Sequence, residues 1–115
     1  MKRDNRLYLQ DILECIEKVQ AYIESLGFEQ FLEQSMVRDA VAWNLVVIGE
    51  VSAQLPDEFK EKNPSVPWAL MKGMRNVVIH GYFGVDWAIV WKTATERLPA
   101  LREDIARILA AEGEA

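Results

Sequence analysis

Tyr8, Ile12, Ile16, Val19, Ile23 and Leu26 recur at steps of three and four, which predicts one apolar face of a helix running from about residue 5 to 26. Gly27 is a natural stop for it. Phe28, Phe31 and Leu32 suggest a single helical turn, and Ser35 is a suitable N-cap for a second helix over about residues 36 to 54. That segment, with AVAWNLVVIGEV at its centre, is apolar on most of its circumference and is expected to be the central, most buried helix. Pro56 ends it, and PDEFKEKNPSVP reads as a connection with one turn around Phe59. Pro67 can open a third helix through WALMKGMRNVVIH, closed by Gly81. Asp86 is the predicted N-cap of a last helix reaching about Glu112, with Val85 and Val90 at the spacing of a hydrophobic staple. Pro99 interrupts that segment, because it cannot donate to the carbonyl of Thr95, so a kink is expected near Leu98. No alternating strand pattern occurs. The expected fold class is therefore all-α, an antiparallel bundle of four main helices plus short helical turns, formed by one domain over residues 1–115.

Composition narrows the chemistry. A chain of 115 residues, 50% of them hydrophobic, suffices for one continuous core. The longest mostly apolar stretch, Ala40 to Gly49, contains Asn44 and is half of the roughly 20 residues a membrane helix needs. The start, MKRDNRLYLQ, lacks the apolar run of a secretory leader. Cys15 is the only cysteine, which fits a reducing compartment, and a cytoplasmic location is expected. His80 is the only histidine, so the common two- and three-histidine metal sites are not available within one chain. No resident metal or cofactor is expected, although a carboxylate-bound magnesium stays open.

The net charge of −5 argues against indiscriminate coating of nucleic acid, which depends on many lysine and arginine contacts to phosphate. The distribution is uneven. From Lys62 to Val85 there is no Asp or Glu, while Lys62, Lys72, Arg75 and His80 all lie there. Within this basic segment, Lys72, Asn76 and His80 are spaced by four and share one helix face. Arg75 is about 7.5 Å along the axis from His80 and roughly 140° around it, so the two converge only if the arginine curls or a second helix supplies the opposing wall. The expected helix terminus at His80 favours the imidazolium form, a suitable general acid near neutral pH. Arg75 offers planar donors to phosphate oxygens. RNA carries its own nucleophile in the 2′-hydroxyl, so an Arg/His pair has the minimum equipment for cleaving it. One chain owns a single histidine, whereas a two-fold dimer with the third helices facing each other would supply both proton-transfer roles.

The same residues also fit a structural role, with His80 capping its helix and Arg75 paired to a carboxylate on another helix. Glu50 either holds Arg75 in place, serves the site, or is simply an exposed helix residue. Trp43, Trp68, Trp87 and Trp91 lie at helical spacing beside apolar neighbours and are expected in the core rather than stacked on bases.

Arg75, four residues, His80, one residue and Tyr82 together resemble the signature of the HepT toxins of the HEPN superfamily. Trp68, Asn76, Val90-Trp91 and Leu98-Pro99 are similar to the family's layout, so the likeness spans most of the chain. The resemblance implies a metal-independent ribonuclease toxin of a type VII-like toxin–antitoxin system. Its homodimer would be joined through the motif-bearing helices, with Arg75 and His80 catalytic, Asn76 supporting them and Lys72 a candidate phosphate contact. It further implies a partner, a MntA-type nucleotidyltransferase antitoxin that uses ATP to adenylylate Tyr82. A different class of function, a non-catalytic subunit that presents nucleotide or substrate to a nucleotidyltransferase, fits the same superfamily.

Overall fold

The computed structural model describes residues 3–79 and 84–114. Seven α-helices follow one another among these residues: α1 (Asn5–Ile23), α2 (Phe28–Glu33), α3 (Ser35–Gln54), α4 (Asp57–Lys62), α5 (Trp68–Ile79), α6 (Trp87–Lys92) and α7 (Leu98–Glu114), with a π-helical turn at Thr93–Arg97 joining the last two. The four long ones form an antiparallel bundle in which α3 lies against both α1 and α5, and α7 packs on α1. None of the described helices is long and apolar enough to cross a membrane.

The apolar period of α1 does what its spacing predicts. Ile12, Ile16 and Val19 are fully buried, joined by Leu9, while Tyr8 is only half-buried. From α3, Val41, Leu45 and Ile48 meet them, and Met71, Met74, Val90, Leu98 and Ile105 complete the core. Cys15 is part of this layer, and burial pushes its thiol up from the ordinary value.

Several boundaries differ from the expected ones. The first helix ends at Ile23, three residues early, with the Leu26 N–H donating to the Ile23 carbonyl at 3.0 Å. Gly27 has φ −90° and ψ 174° and begins α2 instead, its N–H donating to the Gln30 side-chain oxygen at 2.9 Å. The reason is aromatic packing: α2 brings Phe28 and Phe31 to 6.1 and 5.0 Å from the Trp91 ring, and Phe31 also meets Trp87 edge-on. Ser35 is the first residue of α3 rather than its cap, since the Arg38 N–H already closes on the Gln34 carbonyl at 3.0 Å.

At the other end, Asp86 caps α6 as predicted, its carboxylate accepting from the N–H groups of Ala88 and Ile89 at 3.1 and 3.3 Å. Val85 and Val90 both join the core. The interruption expected near Leu98 takes the form of the π-helical turn: Leu98 donates to the Thr93 carbonyl, five residues back, one turn before Pro99. The predicted connection at Phe59 is the six-residue helix α4. Phe59 meets Trp68 edge-on at 6.1 Å, and the Trp68 indole N–H donates to the Asn63 carbonyl at 3.0 Å. These contacts anchor the start of α5. The expected end of this helix at His80, and its cap at Gly81, lie outside the described residues.

Trp68, Trp87 and Trp91 pack against the core as expected, but Trp43 is 66% exposed. Thus α3 is central but not the most enclosed helix, because its outer face is uncovered in the single chain.

The core contribution of α3 is checked by Leu45→Ala. Loss of this fully buried side chain should lower unfolding free energy by about 2–5 kcal/mol in urea titrations, as large-to-small core changes do. A change within experimental error would contradict the burial.

Candidate active site

The site begins with a glycine. Gly49 sits in the middle of α3, where glycine costs about 1 kcal/mol relative to alanine. Its place is explained by α5: a Cβ on Gly49 would lie 2.9 Å from both the Cβ and the backbone N of Arg75, and 3.3 Å from the Lys72 carbonyl. The helices therefore touch backbone to backbone here, and only a residue without a side chain permits it. Ser52, also buried, donates its hydroxyl to the Gly49 carbonyl at 2.9 Å.

One residue further along α3, Glu50 receives the Arg75 guanidinium, Nη1 to Oε1 at 2.5 Å. The arginine side chain is 35% exposed and the carboxylate 50%. A pair this open contributes only about 0–1 kcal/mol to stability. Its consequence is orientation: Glu50 holds one edge of a guanidinium that has five N–H donors, at the seam between two helices rather than swinging in solvent.

The expected stripe on α5 is present as far as the description extends. Lys72 and Asn76 are both exposed on the solvent side of the helix, one turn apart, while Arg75 points sideways onto α3. The structure thus brings Arg75 to Glu50 and leaves Lys72 and Asn76 beside that pair with their polar ends in water. His80 and Tyr82 lie outside the described residues. Of the alternatives open for Arg75 and Glu50, the pairing across helices is the one observed. Gly49 itself was passed over in the sequence, although a glycine inside an otherwise apolar helix is a signal of close backbone approach.

This surface is distinct from a cavity of about 730 Å³ at another part of the molecule, where the chain preceding α1, α4 and the end of α7 meet. Its charged lining residues, Arg3, Asp4, Glu58, Lys62 and Glu112, are of mixed sign and include none from α5. Among the described residues, no three His, Cys, Asp or Glu side chains gather as they would around a metal ion.

Comparison with known proteins places this arrangement. Residues 12–108, which include α3, the Gly49 contact and all of α5, match the model of the HepT-like ribonuclease family. The chain belongs to that family. The protein of Thermococcus cleftensis named probable ribonuclease HepT is 42% identical over 102 residues, covering 89% of this chain and 93% of that one. A candidate RNase of Methanocaldococcus jannaschii is 38% identical over 104 residues, 90% of this chain and 95% of the relative. Another, from Caldanaerobacter subterraneus subsp. tengcongensis, is 37% identical over 107 residues, with 93% and 96% covered. No solved structure matches significantly.

The helix contact at Gly49 is checked by Gly49→Ala. Because the new methyl would meet backbone atoms of α5, it should cost about 1–3 kcal/mol of unfolding free energy, the range for overpacked sites. A neutral or stabilising result, as helix propensity alone would give, would show that the helices are not so close.

Proposed function

We propose that this HepT-like chain is a metal-independent endoribonuclease and the toxin of a type VII-like toxin–antitoxin pair, with Arg75 and His80 as its catalytic residues. The observation that carries the reading is Arg75 itself: it belongs to the Arg75–His80–Tyr82 signature and stands at the surface, oriented by Glu50. The ribonuclease names of relatives that match nearly end to end support the reaction class.

In the proposed reaction the 2′-hydroxyl of the substrate attacks the adjacent phosphorus, its proton passing to one histidine, while a second protonated histidine gives its proton to the departing 5′-oxygen. The products are a 2′,3′-cyclic phosphate and a free 5′-hydroxyl. Arg75 faces the negative charge that builds on the non-bridging oxygens. Asn76 supports the pair, and Lys72 holds a neighbouring phosphate as a point charge. Each chain has one histidine, so the two proton transfers call for a homodimer with His80 of both copies in one cleft. No cofactor enters this scheme. A MntA-type nucleotidyltransferase is the proposed antitoxin, transferring AMP from ATP to the Tyr82 hydroxyl. The added phosphate would compete with RNA for Arg75.

Induced expression in a bacterial host tests the activity. The wild-type chain should arrest growth and degrade RNA, whereas Arg75→Ala and His80→Ala should each abolish both effects and remain folded. Toxicity retained by both variants would overturn the assignment. If neither wild type nor variants arrest growth, while the purified chain binds ATP or AMP and leaves RNA intact, the protein is a substrate-presenting subunit instead.

The regulatory step has a separate check. After coexpression with a MntA-type partner, intact mass should rise by an AMP group in the wild type and stay unmodified in Tyr82→Phe. A gain of AMP that survives Tyr82→Phe would refute Tyr82 as the acceptor.

A further inference from the structure

The outer face of α3 has no covering in the single chain. Met36 and Trp43, 86% and 66% exposed, are the most exposed large apolar side chains among the described residues. Between and beside them, Ala40, Val46 and Val47 are partly exposed. Positions 36, 40, 43, 47, 50 and 54 follow alternating steps of four and three, the a/d spacing by which one helix seats against another. The first four are Met, Ala, Trp and Val; the last two, Glu50 and Gln54, are polar. An apolar seam of this length does not face water without a partner in most monomers.

We propose that this seam pairs antiparallel with the same seam of a second copy, about a two-fold axis passing between Val41 and Ala42. The inference rests on the two-copy site described under the proposed function and changes its principal contact from α5 to α3. The argument for a second copy is self-complementarity. About that axis Trp43 of each chain meets Ala40 of the other, and Met36 meets Val47, so each pair sets a larger side chain against a smaller one. Isologous contact requires this reciprocity.

The pairing also explains how two sites become one. In an antiparallel two-fold pair like flanks face each other, so both copies of α5 lie on the same side of the α3 seam. Gly49 is level with Lys72 and Arg75, and α5 runs opposite to α3. Ile79, four residues or about 6 Å beyond Arg75, is then level with about residue 45, only about 5 Å along α3 from the axis. The C-terminal ends of the two α5 helices thus approach each other across the two-fold, flanked by two Arg75–Glu50 pairs. A parallel α3 pair would place the two α5 helices on opposite sides and separate them. Stable dimers bury about 800 Å² per partner, more than one seam of four residues supplies, so the exposed face of α5 joins the contact. Gly73 suits it, since nothing lies within 4 Å of a Cβ built there and a partner backbone can come close.

Two measurements made without RNA test the inference. In sedimentation equilibrium the wild-type chain should have twice the 13.2 kDa mass of one copy. Trp43→Glu, at an exposed position, should return it to a single copy with unchanged circular dichroism, while Leu70→Glu, exposed but off the seam, should stay dimeric. In a Cys15→Ser background, a tagged Met36→Cys chain mixed with an untagged Val47→Cys chain should form a disulfide between the two. Neither should link to itself, because identical positions lie about 16 Å apart along the axis, beyond disulfide reach. Self-linked Met36→Cys would indicate a parallel pair and overturn the proposal. So would a dimeric Trp43→Glu, or a wild type that stays monomeric at the highest concentration reached, which would assign the face to a different protein. A correctly cross-linked dimer that leaves RNA intact would keep this inference and remove the ribonuclease reading. RNA cleavage by monomeric Trp43→Glu would do the opposite.

Discussion

The arrangement depends on one close crossing, where α5 lies against Gly49 of α3. Without a side chain at that position the backbones of Lys72 and Arg75 reach the surface of α3. With any other residue α5 would be pushed away, and Arg75 would lose its register with Glu50. The crossing also sets how far the end of α5 projects along α3, and hence where its next residues can act. The anchor at the beginning of α5, Trp68 bonded to the Asn63 carbonyl and packed on Phe59, works toward the same end. Both contacts restrict sliding of α5 along the bundle, so structural residues far from any reacting atom determine the geometry of the candidate site.

Electrostatically, an acidic chain acting on RNA is less contradictory than its net charge suggests. The stretch from Lys62 to Val85 has no carboxylate, and the carboxylate brought to Arg75 comes from α3. Glu50 compensates the guanidinium while the site is empty and occupies only part of its donor set. Binding that depends on a few placed cations, rather than on a broad basic surface, has a shallow salt dependence. Such a protein can select a phosphodiester by position without coating nucleic acid at large. Membership of the HepT-like ribonuclease family is consistent with that design.

Local chemistry was the most legible part of the sequence. The Asp86 cap, the stop at Pro56 and the opening at Pro67 depend on a few neighbouring atoms, and the structure has each where its residue type requires. The apolar period of α1 was legible for the same reason. Gly27 was misassigned because a glycine marks a chain reversal without saying which helix claims it; packing of Phe28 and Phe31 on distant tryptophans decides that. Trp43 shows a deeper limit, since an apolar residue facing its own core and one facing a second molecule obey the same periodicity. At the candidate site, the charge pattern and the Lys72–Asn76 stripe were readable from spacing, as was the choice of Arg75. The Arg75–Glu50 pairing was only one of several options until the Gly49 crossing brought the helices together. His80 and Tyr82 are read from the motif alone.

The most direct test of the central claim is cleavage of a defined RNA oligonucleotide by the purified chain in the presence of a chelator, beside the same sequence made entirely of 2′-deoxynucleotides. The account predicts that the RNA is cut to fragments ending in 2′,3′-cyclic phosphate and that the deoxy strand survives, because the nucleophile belongs to the substrate. Cutting of both strands, or loss of RNA cleavage on chelation, would contradict it and point to a water nucleophile or a bound metal instead.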